Sequence, residues 1–407
     1  MKSLKELYRI GTGPSSSHTM APRRAAVRFA AKYPNCKSFQ ITLYSSLAAT
    51  GKGHLTDDEI RKAFAPKELE IIWKPDDELP IHPNGMEFSA IDENGNIIGK
   101  HQTFSTGGGS LSDDEASEDI YNLKTIDEIL NYCLKSGKDY WEYVEECEGK
   151  EIWDYLKEVW NVMKGSIERG LNNKGALPGE LGLPRKARTY FQKSKNLSSA
   201  VLNDALLTAY AYAVSEENAS GGEIVTAPTC GACGSVPAVL YHLLKSNNDV
   251  SEIDILYALA TAGLFGNIVK HNGSISGAMV GCQGEVGTGC AMAAAAACQL
   301  NGGSPRQIEY AAEMGLEHHL GLTCDPVLGL VQIPCIERNA HAANRAIDCS
   351  TFALLSDGVH KISFDDVVEV LLETGKSLHS SYRETSKGGL AQLYHKKFVG
   401  LNPDLKN

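Results

Sequence analysis

The stretch STGGGSLSDDEASED, residues 105–119, separates two kinds of pattern along the chain. It is glycine-rich, then acidic, and has no hydrophobic period, so it reads as a linker or surface loop, with a domain boundary placed at 118/119. Upstream, MEFSAIDENGNIIGKHQTF (86–104) is a pair of alternating runs around Asn94-Gly95, the signal of a β-hairpin. SFQITLYSSL (38–47) and LEIIW (69–73) have strand composition. MAPRRAAVRFAAKY (20–33) and TDDEIRKAF (56–64) read as helices, the second opened by Thr56 as a cap with Glu59 three residues on. Downstream the period becomes helical, in TIDEILNYCLK, IWDYLKEVWNVMKGSIERGL, LSSAVLNDALLTAYAYAVSEE, IDILYALATAGLFGNIVK and SFDDVVEVLLETGKSLHSSY. β-rich patterns do not return. The expected fold is therefore α+β: a small N-terminal α/β domain (1–118) and a larger all-helical domain (119–407). Dense alanine and glycine at 287–303 imply helices whose backbones lie close together.

A length of 407 residues exceeds what one hydrophobic core organises, which agrees with two domains. Hydrophobic residues at 43% and charged residues at 22% are ordinary for a soluble globular protein. The net charge of −11 argues against a nucleic-acid or anionic membrane surface as partner. No uninterrupted apolar run reaches membrane-spanning length, the best being AMAAAAACQL, and the N-terminus lacks the apolar core of a secretory signal. A cytoplasmic protein is expected, and a homodimer on the base rate for soluble assemblies.

Eleven cysteines, an odd number, do not form a disulfide framework in a reducing compartment, so metal or redox use is the sharper reading. Most should be small buried hydrophobes. Seven fall between 224 and 340, and six of them lie in the motif-bearing stretches: Cys230, Cys233, Cys282, Cys290, Cys324 and Cys335. Cys282 is flanked by Gly281 and Gly284, which let backbone approach a bulky inorganic group. Cys324 precedes Asp-Pro and Cys335 follows Pro334, where helices break and thiolates are free to turn inward. This dispersed spacing differs from the paired cysteines of structural zinc modules, yet from spacing alone both an iron–sulfur cluster and zinc remain open.

Taken together, GPSSSHT, TGKGH, HPNGM, TAPT-GA-G, HN-SISGA-VGCQGEVG and CDPV-GLVQIPCIERNA resemble the iron–sulfur-dependent L-serine dehydratases, with their β and α parts fused. The likeness spans nearly the whole chain in the family's order. It implies a pyridoxal-phosphate-free lyase that holds a [4Fe–4S] cluster on Cys282, Cys324 and Cys335, with one iron open to L-serine. On this reading Cys230 and Cys233 are supporting or structural, Cys290 and Cys298 belong to the core, and Cys36, Cys133, Cys147 and Cys349 have no role. Some family members cap the open iron with a C-terminal cysteine; here the last cysteine is Cys349, so no such cap is expected.

Dehydrating serine requires removal of a weakly acidic α-proton and loss of a poor leaving group. The open iron serves the second task as a Lewis acid. For the first, three histidines lie in loops of the N-terminal domain. His54 is the first choice of base, His18 its alternative or proton partner, and His82 orients substrate or assists the departing hydroxyl. Ser15, Ser16, Ser17 and Thr19 would form a nest for the substrate carboxylate beside His18. A Ser17–His18 nucleophile is disfavoured because neighbours in sequence do not ordinarily face each other. Lys52, Asn84, Asn272, Ser274, Ser276 and Arg338 complete the substrate-binding set, and the site should lie between the domains. Competing readings are a pyridoxal-phosphate dehydratase, for which STGGGS would be the phosphate cup; a threonine dehydratase or L-cysteine desulfidase of the same cluster class; and a cluster-carrying sensor without turnover.

Overall fold

The alternating runs of the first third pair as their periodicity predicts. In the computed structural model, which describes residues 1–114 and 118–399, the N-terminal elements are β1 (Ile10–Thr12), α1 (Ala21–Lys32), β2 (Ser38–Tyr44), α2 (Ser45–Thr50), α3 (Thr56–Phe64), β3 (Glu68–Lys74), β4 (Gly85–Ile91), β5 (Ile97–Gly107) and β6 (Ser110–Leu111). Five strands form one sheet in the order β3-β2-β4-β5-β6. Only β2 and β3 run parallel, joined through α2 and α3; the other pairs are antiparallel. Phe39, Ile41 and Leu43 on β2 and Met86, Phe88 and Ala90 on β4 point to one face, as the two-residue period requires. Helices α1 and α3 cover that face with Phe29, Ile60 and Phe64, and the Phe39 and Phe64 rings lie 4.3 Å apart.

The hairpin turns where Asn94-Gly95 places it. Gly95 adopts φ 83°, and Asp92 Oδ1 accepts from the backbone N–H groups of Asn94 and Asn96. Two local expectations are corrected. Thr56 is not a cap: Leu55 holds that position at φ 55°, and the Thr56 hydroxyl instead donates to the His18 carbonyl at 2.5 Å. Nor is the first half of 105–119 a surface linker. Strand β5 runs through Ser105 to Gly107, the chain reverses at three glycines with φ of 102°, 58° and 82°, and β6 follows. Ser105, Gly107–Gly109 and Ser110 are buried, because this turn packs against Ile275, Ser276 and Arg9. Asp114 pairs with Arg24 and Arg28 of α1. Residues 115–117 lie outside the described residues.

Beyond them come α4 (Ile126–Ser136), α5 (Tyr140–Glu148), α6 (Ile152–Asn172), α7 (Ala187–Ser194) and α8 (Ser199–Ala219). After the short β7 (Glu223–Val225) follow α9 (Ser235–Ser246), α10 (Glu252–Asn272), α11 (Gly277–Val280), α12 (Thr288–Leu300), α13 (Pro305–Glu317), α14 (Cys335–Leu354), α15 (Phe364–Ser377) and α16 (Gly389–Tyr394). The chain thus has a small sheet-bearing domain and a larger helical one. Alanine-rich α12 lies at the centre of the latter, buried from Thr288 to Cys298. Backbones do approach closely here: a Cβ on Gly315 of α13 would stand 3.0 Å from Cα of Ala291. Helix α10, legible as helical in the sequence, is the one span among the described residues long and apolar enough to cross a membrane, although AMAAAAACQL reads there as the best apolar run; 78% of its 18-residue apolar window is buried inside the protein, as for a core helix.

Strand signals do return once. β7 pairs antiparallel with β1, Ile10 opposite Val225, which ties the N-terminal segment to the helical domain. Met1, Leu4, Leu7 and Tyr8 pack into the helical core, and the Tyr8 hydroxyl donates to the Leu259 carbonyl at 3.0 Å. A three-residue strand carries too little alternation to be seen in sequence.

Candidate active site

Residues Ser16–Met20 form one wide, π-helical turn ahead of α1. Ser15 caps it, accepting from the His18 N–H at 3.0 Å. The turn is laced to the loop carrying His54 in both directions. Thr19 Oγ1 donates to the His54 carbonyl at 2.7 Å, while Thr56 serves the His18 carbonyl. Their rings lie 4.5 Å apart, centroid to centroid. The His54 loop also presses on the helical domain, where a Cβ on Gly53 would stand 2.6 Å from the Gly329 carbonyl oxygen.

Contrary to expectation, Ser17 Oγ lies 2.8 Å from Nδ1 of His18, since the wide turn brings these neighbours together. On the other side of the ring, Nε2 is 3.1 Å from Ser46 Oγ, whose own hydrogen is donated to the Glu384 carbonyl at 2.7 Å. Ser46 therefore accepts from His18, placing the imidazole proton on Nε2 and leaving Nδ1 to accept from Ser17. Burial pushes His18 down to about 3, and burial followed by the nearby His18 pushes His54 well below the usual imidazole range. His82 is lowered to about 4 by burial, and its Nδ1 accepts from the Asn84 N–H at 3.1 Å. All three rings are neutral near pH 7.

The thiols converge from three segments of the helical domain. Cys282 follows Gly281, which is at φ 76°, Cys324 lies in the loop before α14, and Cys335 is the first residue of α14. Each is buried. Cys282, Cys324 and Glu285 present ligand atoms within 4.8 Å of one another. A hydrogen bond with Cys324, assisted by the Arg338 guanidinium, holds the Cys282 thiol down to about 6 against the opposing effect of burial. Cys335 is pushed up by burial and by the Cys282 charge, and the charge of Arg338 reaches all three cysteines. By contrast Cys230 and Cys233 are raised, chiefly by burial, and Cys290 and Cys298 lie within the packed α12.

Glu384 joins the two groups, and the sequence reading missed it. Its Oε1 is 3.5 Å from His18 Nδ1, and its backbone N–H donates to the Cys324 carbonyl at 2.8 Å. Glu285 and Ser46 were missed as well. Glu285 lies within VGCQGEVG, three residues after Cys282 on the same turn, a signal that was on the page; Ser46 and Glu384 had none. Of the predicted substrate contacts, Ser276 and Asn84 are buried at the seam, with Ser276 Cβ 3.2 Å from where a Cβ on Gly107 would stand. Ser274 Oγ accepts from the Ser276 N–H at 3.1 Å, and Arg338 donates to the Thr323 carbonyl at 2.6 Å. Ser15 and Thr19 use their hydroxyls within the turn, and Ser16 is buried beside them. Lys52 and Asn272 are not brought in: both are exposed, and Asn272 donates to the Lys124 carbonyl.

Several buried polar atoms in this region have no partner: His54 Nδ1, both amide atoms of Asn84, the hydroxyls of Ser105 and Ser276, and Glu384 Oε2. Each such orphan costs about 1–3 kcal/mol unless water or a polar guest satisfies it. His18, His54 and Glu384 form one cluster and Cys282, Glu285 and Cys324 another, and Glu384 links them across the domain seam, an arrangement of the kind found in lyases.

That class agrees with the sequence comparisons. The family model described as serine dehydratase beta chain matches residues 3–65, and the one described as serine dehydratase alpha chain matches 76–391. The chain belongs to the serine dehydratase family. It is 40% identical to the L-serine dehydratase of Streptomyces coelicolor, over 96% of this chain and 98% of that protein. It is also 40% identical to L-serine dehydratase 1 of Escherichia coli, over 96% and 99%, and 36% identical to the L-serine dehydratase of Helicobacter pylori, over 96% and 98%.

Proposed function

We propose that this protein is an L-serine dehydratase of the cytoplasm that converts L-serine to pyruvate and ammonia with a [4Fe–4S] cluster and without pyridoxal phosphate. The N-terminal unit (1–118) would supply proton chemistry and the C-terminal unit (119–407) the cluster. One observation carries the reading: Glu384, whose N–H donates to the Cys324 carbonyl at 2.8 Å beside three buried thiols and Arg338, stands 3.5 Å from His18 of the other domain. That donor set fits an iron–sulfur cluster, whose thiolate ligands need an offsetting cation in a buried site. Cys282, Cys324 and Cys335 would hold it. When bound, the cluster supplies a Lewis-acidic iron that stabilises charge on the departing hydroxyl.

The chain's own residues do the rest. His54, neutral and with Nδ1 unpartnered, takes the α-proton. His18, fixed with its proton on Nε2, packs against the His54 ring and orients it. His82, whose Nδ1 already accepts from Asn84, carries its proton on Nε2 and suits a donor's role toward the leaving group. Asn84 and Ser276 present free polar groups to the substrate, and burial of the whole site keeps bulk water from the reacting carbons. Loss of water leaves aminoacrylate, which tautomerises to the imine and hydrolyses to pyruvate and ammonia.

The test is anaerobic reconstitution with iron and sulfide, followed by pyruvate or 2-oxobutyrate assay on L-serine, L-threonine and L-cysteine. L-Serine should be the preferred substrate. Cys282→Ser, Cys324→Ser and Cys335→Ser should each lose iron and turnover, while Cys298→Ser keeps both. Full turnover in the three ligand variants with iron stripped, or a loaded cluster with no elimination product, defeats the proposal.

A further inference from the structure

We infer that the Glu384 carboxylate receives the α-ammonium group of the substrate and so selects an amino acid over the corresponding hydroxy acid. The inference rests on the function proposed above and adds the residue that reads the amine.

Glu384 is fixed from both domains. Its N–H donates to the Cys324 carbonyl at 2.8 Å, and its carbonyl accepts from Ser46 of the N-terminal domain at 2.7 Å. The backbone is held at φ 57°, a left-handed conformation that a glutamate adopts only under constraint. The side chain is 5% exposed, and Oε2 has no partner.

No fixed cation neutralises this group. Among the described residues its one ion-pair neighbour is His18 at 3.5 Å. Hydrogen-bond bookkeeping at Ser46 places the His18 proton on Nε2, so Nδ1 turns a lone pair toward the carboxylate rather than a proton. The Ala278 N–H donates to its carboxyl group, and the titratable neighbours Cys282 and Glu285 are acidic. A Cβ on Gly277 would stand 2.7 Å from Glu285 Oε2 and 3.2 Å from Glu384 Oε2, so the two carboxylates share the space that the glycine leaves open. Arg338 acts on Glu285 and on the thiols. Burial, then the charge of Cys282, raises the Glu384 carboxyl to about 8, so a proton occupies the place of a missing cation; an arriving ammonium gives the ionised form the partner it lacks. A substrate carboxylate would be repelled from the same spot. Ser276 Oγ, the Asn84 amide and His54 Nδ1, also unpartnered, remain for the rest of the molecule.

The experiment compares, on anaerobic, cluster-loaded protein, the KM for L-serine with the inhibition constant of L-glycerate against it, because bound L-serine is turned over. L-Glycerate keeps the carboxylate, the 3-hydroxyl and the configuration, and replaces the ammonium by a hydroxyl. The wild type should bind L-serine at least about tenfold more tightly than L-glycerate. Glu384→Gln should weaken L-serine by about tenfold or more and change L-glycerate by less than about threefold, with iron content unaltered. Should the glutamine variant fold poorly, Glu384→Asp carries the same comparison, with an intermediate loss confined to L-serine. Equal weakening of both ligands, or no change in either, overturns the inference while leaving the dehydratase reading intact. A wild type that turns over no L-serine overturns both.

Discussion

Ser46 stands 3.1 Å from Nε2 of His18 in its own domain and, with its single hydrogen, donates to the backbone carbonyl of Glu384 in the other. One hydroxyl thus sets a histidine tautomer and pins the two domains at the site. Ser46→Ala should lower kcat on the order of tenfold at unchanged iron content, because His18 then samples the wrong tautomer. Nitrogen NMR shifts of His18 should move from the Nε2–H pattern toward a mixture. An unchanged tautomer with the same loss in kcat would leave Ser46 a packing role only.

The histidines should separate by kinetic parameter. His54→Asn removes the unpartnered Nδ1 acceptor and should cut kcat by about 10²-fold or more, the ordinary yield of general base catalysis. His82→Asn should leave proton abstraction, measured as exchange of the α-hydrogen with heavy water, and slow only pyruvate release. Exchange at the wild-type rate in the His54 variant would move the base elsewhere.

Two glycines of α6 should respond in opposite directions. A Cβ on Gly170 would stand 2.2 Å from the Ala213 carbonyl oxygen of α8, so Gly170→Ala forces the helices apart and should destabilise by about 1–3 kcal/mol. At Gly165 the new methyl would meet only the end of the Arg169 side chain at 3.2 Å, and Gly165→Ala should stabilise by about 0.5–1 kcal/mol through helix propensity. Thermal denaturation of both variants is the check.

Asp365 should contribute a pH-dependent loss of stability. It opens α15 and accepts from the N–H groups of Ile126 and Asp127 at the start of α4, yet burial pushes its carboxyl from 3.8 up to about 6. The folded state therefore holds this proton more tightly than the unfolded chain. Stability from this group is full below about pH 4 and declines as pH rises to about 6, by on the order of 1 kcal/mol after solvent screening. Asp365→Asn cannot titrate, so the difference in melting temperature between variant and wild type should move in the variant's favour from pH 4 to pH 6.5. A difference independent of pH would refute the assignment.

What the sequence displayed depended on how each residue works. The hairpin at Asn94-Gly95 and the helices α4, α6, α8, α10 and α15 were legible because backbone preference and burial repeat over many positions. Cys282, Cys324, Cys335 and the three histidines stood out as chemically distinctive residues beside glycine or proline. Ser46 and Glu384 act alone, as common residue types whose role arises only when distant segments meet. The Ser17–His18 contact was misjudged because sequence neighbours do not ordinarily face each other, whereas the wide turn Ser16–Met20 brings them together. The glycine run at 107–109 looked like a linker because composition alone does not tell a solvated loop from a buried reversal.

The β1–β7 ladder, with Arg9 N–H bonded to Thr226 Oγ1 across 217 residues of chain, bears on how the protein matures on the ribosome. The sheet domain is synthesised first, but its leading segment has no strand to pair with until the polypeptide has grown past residue 226. Its imidazoles meet Glu384 later still. The Ser46–Glu384 contact thus forms only after residue 384 has been made, and the site assembles by long-range association rather than locally.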